Sequence, residues 1–199
     1  MKRNEVTKCL LCNTQLNVQI TWKALLTNAF PKTICLECEQ TFELYENTTE
    51  EVLSLYQYNN AMKDFLHRYK FMHDVILAKV FRTEIHEKLS KSSATIVPIP
   101  LHSERQKERT FAQVDELLKA SKISYEHFLE KTTTDTQVGK TRQERLAMPQ
   151  FFKLIQNCKN KDILLIDDIY TTGATIQHAR NLLLESGAKS VRAFTLIRG

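Results

Sequence analysis

Glycine is scarce in this chain: four residues in 199, at Gly139, Gly173, Gly187 and Gly199. Neither a G-x-G-x-x-G dinucleotide fingerprint nor a Walker phosphate loop can be assembled from them, because both need closely spaced glycines where backbone meets phosphate. No run of about 18 apolar residues occurs, which excludes an ordinary membrane-spanning helix. The chain begins Met-Lys-Arg-Asn-Glu with no apolar stretch behind the charges, so a secretory leader is not expected and the cytoplasm is the expected location. No internal repeat or low-complexity segment is apparent. Charge is only mildly unbalanced: 28 Lys and Arg against 23 Asp and Glu give a net +5, which permits contact with phosphates or nucleic acid and demands neither. What remains, 42% apolar and 26% charged, is ordinary for a soluble globular protein. A chain of this length can bury one substantial core beside a small satellite module.

Cysteine is plentiful at one end. Cys9-Leu-Leu-Cys12 and Cys35-Leu-Glu-Cys38 form two C-x-x-C knuckles separated by 22 residues. Each knuckle lets two thiolates meet one ion, and four thiolates complete a tetrahedral Zn2+ site. Disulfides are disfavoured in a cytoplasmic chain, and a thioredoxin-like redox pair needs only one C-x-x-C. Such a closed site keeps no open position, so its expected role is structural or partner-binding. The fifth cysteine, Cys158, reads as an inert buried thiol.

The quartet is followed by an acidic stretch, Glu37, Glu39, Glu43, Glu46, Glu50 and Glu51, without a basic residue among them. It reads as the exit from an N-terminal module into a hinge or a solvated helix. The expected division is residues 1–50 for the ribbon and acidic connector and 51–199 for a second domain. In the latter, 53–58 alternates like a half-buried strand. Helices are expected over 61–69 and 74–89, the second capped by Asp74. Residues 94–99 read as a strand whose prolines prevent the ladder from continuing, and Phe111, Val114, Leu117 and Leu118 mark a further helix. The apolar run 163–166, a helix over 175–186 stopped by Gly187, and a strand over 191–197 form a βαβ unit. The class is therefore α/β, a parallel sheet flanked by helices.

At the first turn of that unit stands Ile163-Leu164-Leu165-Ile166-Asp167-Asp168-Ile169-Tyr170-Thr171-Thr172-Gly173-Ala174-Thr175. Open parallel sheets bind ligands beyond the carboxyl ends of their strands. A helix starting there offers unpaired amides and a partial positive charge to an anion. The hydroxyls of Thr171, Thr172 and Thr175 add donors, and Gly173 allows close approach. Asp167 and Asp168 repel phosphate; they suit the vicinal hydroxyls of a sugar, or a divalent cation carried by a diphosphate. Phosphate at one end and diol acceptors at the other describe a ribose 5-phosphate. The segment resembles the signature of type I phosphoribosyltransferases, which bind phosphoribosyl pyrophosphate (PRPP). That resemblance implies that Asp167 and Asp168 hold the ribose hydroxyls and that Thr171, Thr172, Gly173, Ala174 and Thr175 cradle the 5-phosphate. Tyr170 departs from the aliphatic residue common there.

A four-cysteine ribbon ahead of such a domain resembles the ComF family over nearly the whole chain. Val97-Pro98-Ile99-Pro100-Leu101-His102 is similar to that family's V-P-x-P-L-H segment, which implies that Leu101 and His102 lie in the pyrophosphate-receiving loop. Arg105, Lys107 and Arg109 follow in an arrangement fit for phosphate oxygens. Lys70-Phe71 before Asp74 matches the family's Lys-Phe-x-x-Asp turn, and residues 137–145 resemble its flexible loop. Arg109-Thr110-Phe111-Ala112-Gln113 departs from the usual R-G-F-N-Q, and Met148 stands where asparagine is common. The resemblance implies a PRPP-binding protein needed for DNA uptake in natural transformation, with Mg2+ on the diphosphate. It also implies a competence helicase and a recombination mediator as partners. The second reading is a non-catalytic module that holds PRPP or a phosphorylated ligand while contacting single-stranded DNA. Trp22, Phe30, Tyr56 and Tyr58 are candidate stacking platforms for it. No residue presents itself as a nucleophile.

Overall fold

The computed structural model describes residues 6–16, 30–47, 49, 51–101, 107–132 and 151–199. Its centre is a four-stranded sheet of β1 (Val52–Gln57), β2 (Thr95–Pro98), β5 (Asp162–Tyr170) and β6 (Ser190–Arg198). The order is β1-β6-β5-β2, with every pair parallel. Two short strands, β3 (Leu129–Lys131) and β4 (Phe152–Leu154), pair antiparallel beside it.

Alternation along β5 divides the core. Ile163 and Leu165 face one layer, where α5 (Ala174–Glu185) contributes Ile176, Ala179 and Leu183 and the β3–β4 pair contributes Leu129 and Phe152. Ile166 faces the other layer, built by α2 (Asn60–Phe71), a 3₁₀ turn (Val75–Lys79), α3 (Arg82–Leu89) and α4 (Gln113–Ala120). Both faces of the central strands are covered, which explains their near-continuous apolar sequence.

Local signals account for the element ends. The Asn59 side chain accepts from the Met62 amide at 3.0 Å and caps α2. Beyond α5, Gly187 takes φ +92°, the left-handed conformation that glycine adopts without a Cβ clash. The expected single helix over 74–89 is instead a 3₁₀ turn followed by α3. Asp74 makes no side-chain cap; its carboxylate accepts from the Arg68 guanidinium at 2.8 Å. A charged partner within reach outcompetes a neutral amide for that oxygen.

The acidic stretch also differs from expectation. After the short helix α1 (Leu36–Glu39), residues 43–45 lie antiparallel along β1. The Gln57 amide donates to the Glu43 carbonyl and the Tyr45 amide to the Leu55 carbonyl, both at 2.9 Å. Backbone pairing of this kind covers an otherwise open sheet edge whatever the side chains carry.

One feature of the register positions the site. β6 accompanies β5 through Tyr170, whereas β2 pairs only with Ile163–Ile166. The Ile99 amide makes the last bond, to the Ile166 carbonyl at 2.8 Å. Pro100 has no amide to extend the ladder. Among the described residues, Asp167 through Tyr170 therefore have a strand neighbour on the β6 side alone.

A candidate sugar-phosphate site and a four-cysteine cluster

The sequence placed Asp167 and Asp168 just past the strand; they lie within β5, opposite the end of β2. Asp168 is buried, and its carboxylate accepts from the Lys70 ammonium at 2.7 Å. Asp167 accepts from the Asp168 amide at 2.9 Å. Burial first, and then the neighbouring charge of Asp168, hold the Asp167 carboxyl well above the usual carboxylate range, with Lys70 acting against them. Tyr69, next to Lys70 on α2, donates its hydroxyl to the Gln113 carbonyl at 2.7 Å. Burial and the charge of Asp168 also push its phenol up.

Tyr170 leads directly into the turn. Thr171, Thr172 and Ala174 are exposed, while Gly173 and Thr175 are half-buried. Gly173 occupies the N-cap of α5 at φ +76° and brings no side chain to cap the first amides. The Thr172 hydroxyl lies 3.4 Å from the Ala174 amide. The start of α5 thus combines a glycine N-cap with two exposed threonines, the features that a phosphate cradle uses. Leu101 is half-buried just beyond Pro100. His102, Arg105, Trp22, Met148 and residues 137–145 lie outside the described residues. Arg109 donates to Gln113 Oε1 at 3.1 Å and stands 5.6 Å from the centre of the Phe71 ring.

Two contacts of α2 are not legible in the sequence, where Lys70 stands only as part of a family motif and Arg68 is not singled out. Lys70 sits beside core-facing Tyr69 on α2, a position whose helical phase alone marks it as close to the sheet. Arg68 donates to the carbonyls of Leu11 and Leu10, each at 2.9 Å, and so ties the first knuckle to α2. Of the expected stacking aromatics, Tyr56 is buried and Tyr58 is exposed. Phe30 lies against Arg82, Lys122 and His86. A cavity of about 530 Å³ lies elsewhere, at the amino end of β2, lined by His86, Ser90, Thr95, Lys122 and Ser124 among others.

The four N-terminal cysteines converge. Their sulfur atoms all lie within 4.8 Å of one another, and Cys12 and Cys35 are 3.6 Å apart. Thiolates about 2.3 Å from one tetrahedral ion stand about 3.8 Å apart, so this spacing fits. The Cys35 amide donates to Cys9 Sγ at 3.3 Å. Cys12 lies 3.2 Å from the Thr14 hydroxyl, which draws its thiol down to about 6. Burial and its neighbouring cysteines push Cys38 up. Four crowded thiols resist joint ionisation unless a cation stands among them. The cluster can hold a metal ion. Cys158 is fully buried against the carbonyls of Leu183 and Ser186.

A parallel sheet with an acid pair and a threonine turn at its carboxyl edge defines a class, and residues 77–199 match the phosphoribosyl transferase domain family. Two curated relatives refine this. The chain is 38% identical to Competence protein ComFC of Streptococcus pneumoniae (strain ATCC BAA-255 / R6), over 96% of this chain and 100% of that protein. It is 32% identical to Competence protein ComFC of Bacillus subtilis (strain 168), over 96% and 94% respectively. DNA utilization protein YhgH of Salmonella typhi is 26% identical, over 75% of this chain and 72% of that protein. The chain belongs to the ComF family of phosphoribosyl transferase domain proteins.

Proposed function

We propose that this chain is a cytoplasmic PRPP-binding, phosphoribosyltransferase-like protein that serves DNA uptake in natural transformation. One observation carries the ligand half: the Asp167–Asp168 pair, just past the last β2 pairing on β5, runs straight into the turn 171–175, where Thr171, Thr172 and Ala174 are exposed. In this reading the carboxylates take the ribose hydroxyls, the turn and the first amides of α5 take the 5-phosphate, and Leu101 with His102 border the pyrophosphate. Mg2+ would screen the diphosphate of the donor when bound. The competence half is supported by the relatives named ComFC. Zinc is the ion proposed for the four thiolates, in a closed structural site within residues 1–50, joined to the domain 51–199. Single-stranded DNA, a competence helicase and a recombination mediator are the proposed macromolecular partners.

A specific observation favours the reading without turnover. Arg109 is engaged by Gln113 and the Phe71 ring. Thr110, where the family usually has glycine, adopts φ +63°. Both put strain or prior commitment into the basic segment next to the pyrophosphate end. Calorimetry with PRPP and Mg2+, followed by a pyrophosphate-release assay with candidate bases, separates the two readings. Binding with release supports an enzyme, binding without release supports the module, and no binding removes both. A gel-shift series across salt concentrations tests the DNA half, because phosphate contacts set the salt slope.

A further inference from the structure

We propose that Tyr170 and Arg198 form a clasp that holds the phosphate turn in its binding conformation, with Arg198 a positioning residue acting through the tyrosine. This rests on residues 171–175 being the phosphate turn. Tyr170 and Arg198 are the last paired residues of β5 and β6. The Arg198 Cζ stands 3.9 Å from the centre of the Tyr170 ring, the contact distance of a guanidinium stacked on an aromatic face. Tyr45 approaches the same guanidinium at 5.7 Å. It arrives on the segment that pairs along β1 after the second knuckle. Among the described residues no carboxylate lies within ion-pair distance of Arg198, so the rings are what hold it.

The other end of the tyrosine meets the turn. A Cβ placed on Gly173 would collide with the Tyr170 hydroxyl and ring. The ring therefore packs directly over the glycine whose left-handed backbone starts α5. The Gly199 amide donates to the Tyr170 carbonyl at 2.8 Å and fixes the backbone beneath the ring. A glycine-containing turn is otherwise free to sample many conformations, and each must be abandoned when amides converge on a phosphate. Packing the ring on the turn removes that freedom before the ligand arrives, which raises affinity without adding a contact to it. An aliphatic side chain at this position, as in many related enzymes, cannot stack on a guanidinium.

The experiment is calorimetry of the full chain with ribose 5-phosphate, on the wild type, Tyr170→Leu, Arg198→Met, the double variant and Arg198→Lys. Thermal midpoints are recorded alongside. Each single change is expected to weaken binding about tenfold, the scale of one desolvated cation–π contact. The double is expected to bind as either single does, because both remove the same clasp. Arg198→Lys is expected to recover most of the affinity, since an ammonium still stacks on the ring. Wild-type affinity in both singles, losses that add in the double, or losses matched by a collapse of the thermal midpoint would each overturn the clasp. A wild-type chain that fails to bind ribose 5-phosphate overturns the site reading and the clasp together. Normal wild-type binding with unaffected variants overturns the clasp alone.

Discussion

The Lys70 ammonium lies 2.7 Å from Asp168 Oδ1, with the two side chains only 13% and 9% exposed. Two charges taken this far out of water depend on each other, and removing one leaves the other uncompensated. Lys70→Met should therefore cost about 3–5 kcal/mol of stability by urea unfolding. Lys70→Met combined with Asp168→Asn should restore much of the loss. A single variant as stable as the wild type would show that the pair is solvated.

Asp167 makes the opposite prediction. Its folded-state pKa is raised by burial and by Asp168, so the folded protein holds that proton more tightly than the unfolded chain. The stability this adds is complete below the ordinary carboxylate range, about pH 4, and is lost as pH rises through the raised value. Asp167→Asn should flatten this decline and melt higher than the wild type at pH 8, while binding ribose 5-phosphate less well. Parallel pH profiles for the two proteins would contradict it.

Thr110 holds a β-branched side chain in left-handed backbone, φ +63°. Such a conformation costs about 1–3 kcal/mol, and glycine adopts it freely. Thr110→Gly should raise the thermal midpoint by about 3 °C, the shift expected for ~1 kcal/mol at this chain length. An unchanged or lower midpoint counts against the strain.

For the cysteine cluster, elemental analysis should find one zinc per wild-type chain and none in Cys38→Ser. Chelation of the wild type should lower its melting temperature and expose the knuckles to thiol reagents, because ion binding and folding of such a module are coupled. A Cys38→Ser chain that retains its zinc would exclude that sulfur from the site.

The βαβ unit around the turn was legible because several independent signals agree there: the apolar run Ile163 to Ile166, the Thr-Thr-Gly turn, and Gly187 at the helix end. The position of the acids was misjudged by one physical detail. Charged side chains end an apolar run, but the β5 ladder is made by backbone, and β6 carries it on to Tyr170. The same indifference hides the edge pairing of residues 43–45, whose acidic neighbours suggested a hinge. β3 and β4 are three residues each, too short to show a period. Lys70 was seen only as part of a family motif, since its partner lies 98 residues further along the chain.

Amide chemical-shift mapping of the isotope-labelled chain during a PRPP titration tests the central claim most directly. The amides of Asp167 through Thr175 should move together and saturate at one equivalent, with Lys70 responding through Asp168. Shifts confined to the cavity at the amino end of β2, around residues 92–96 and 122–126, or no saturable shift at all, would contradict it.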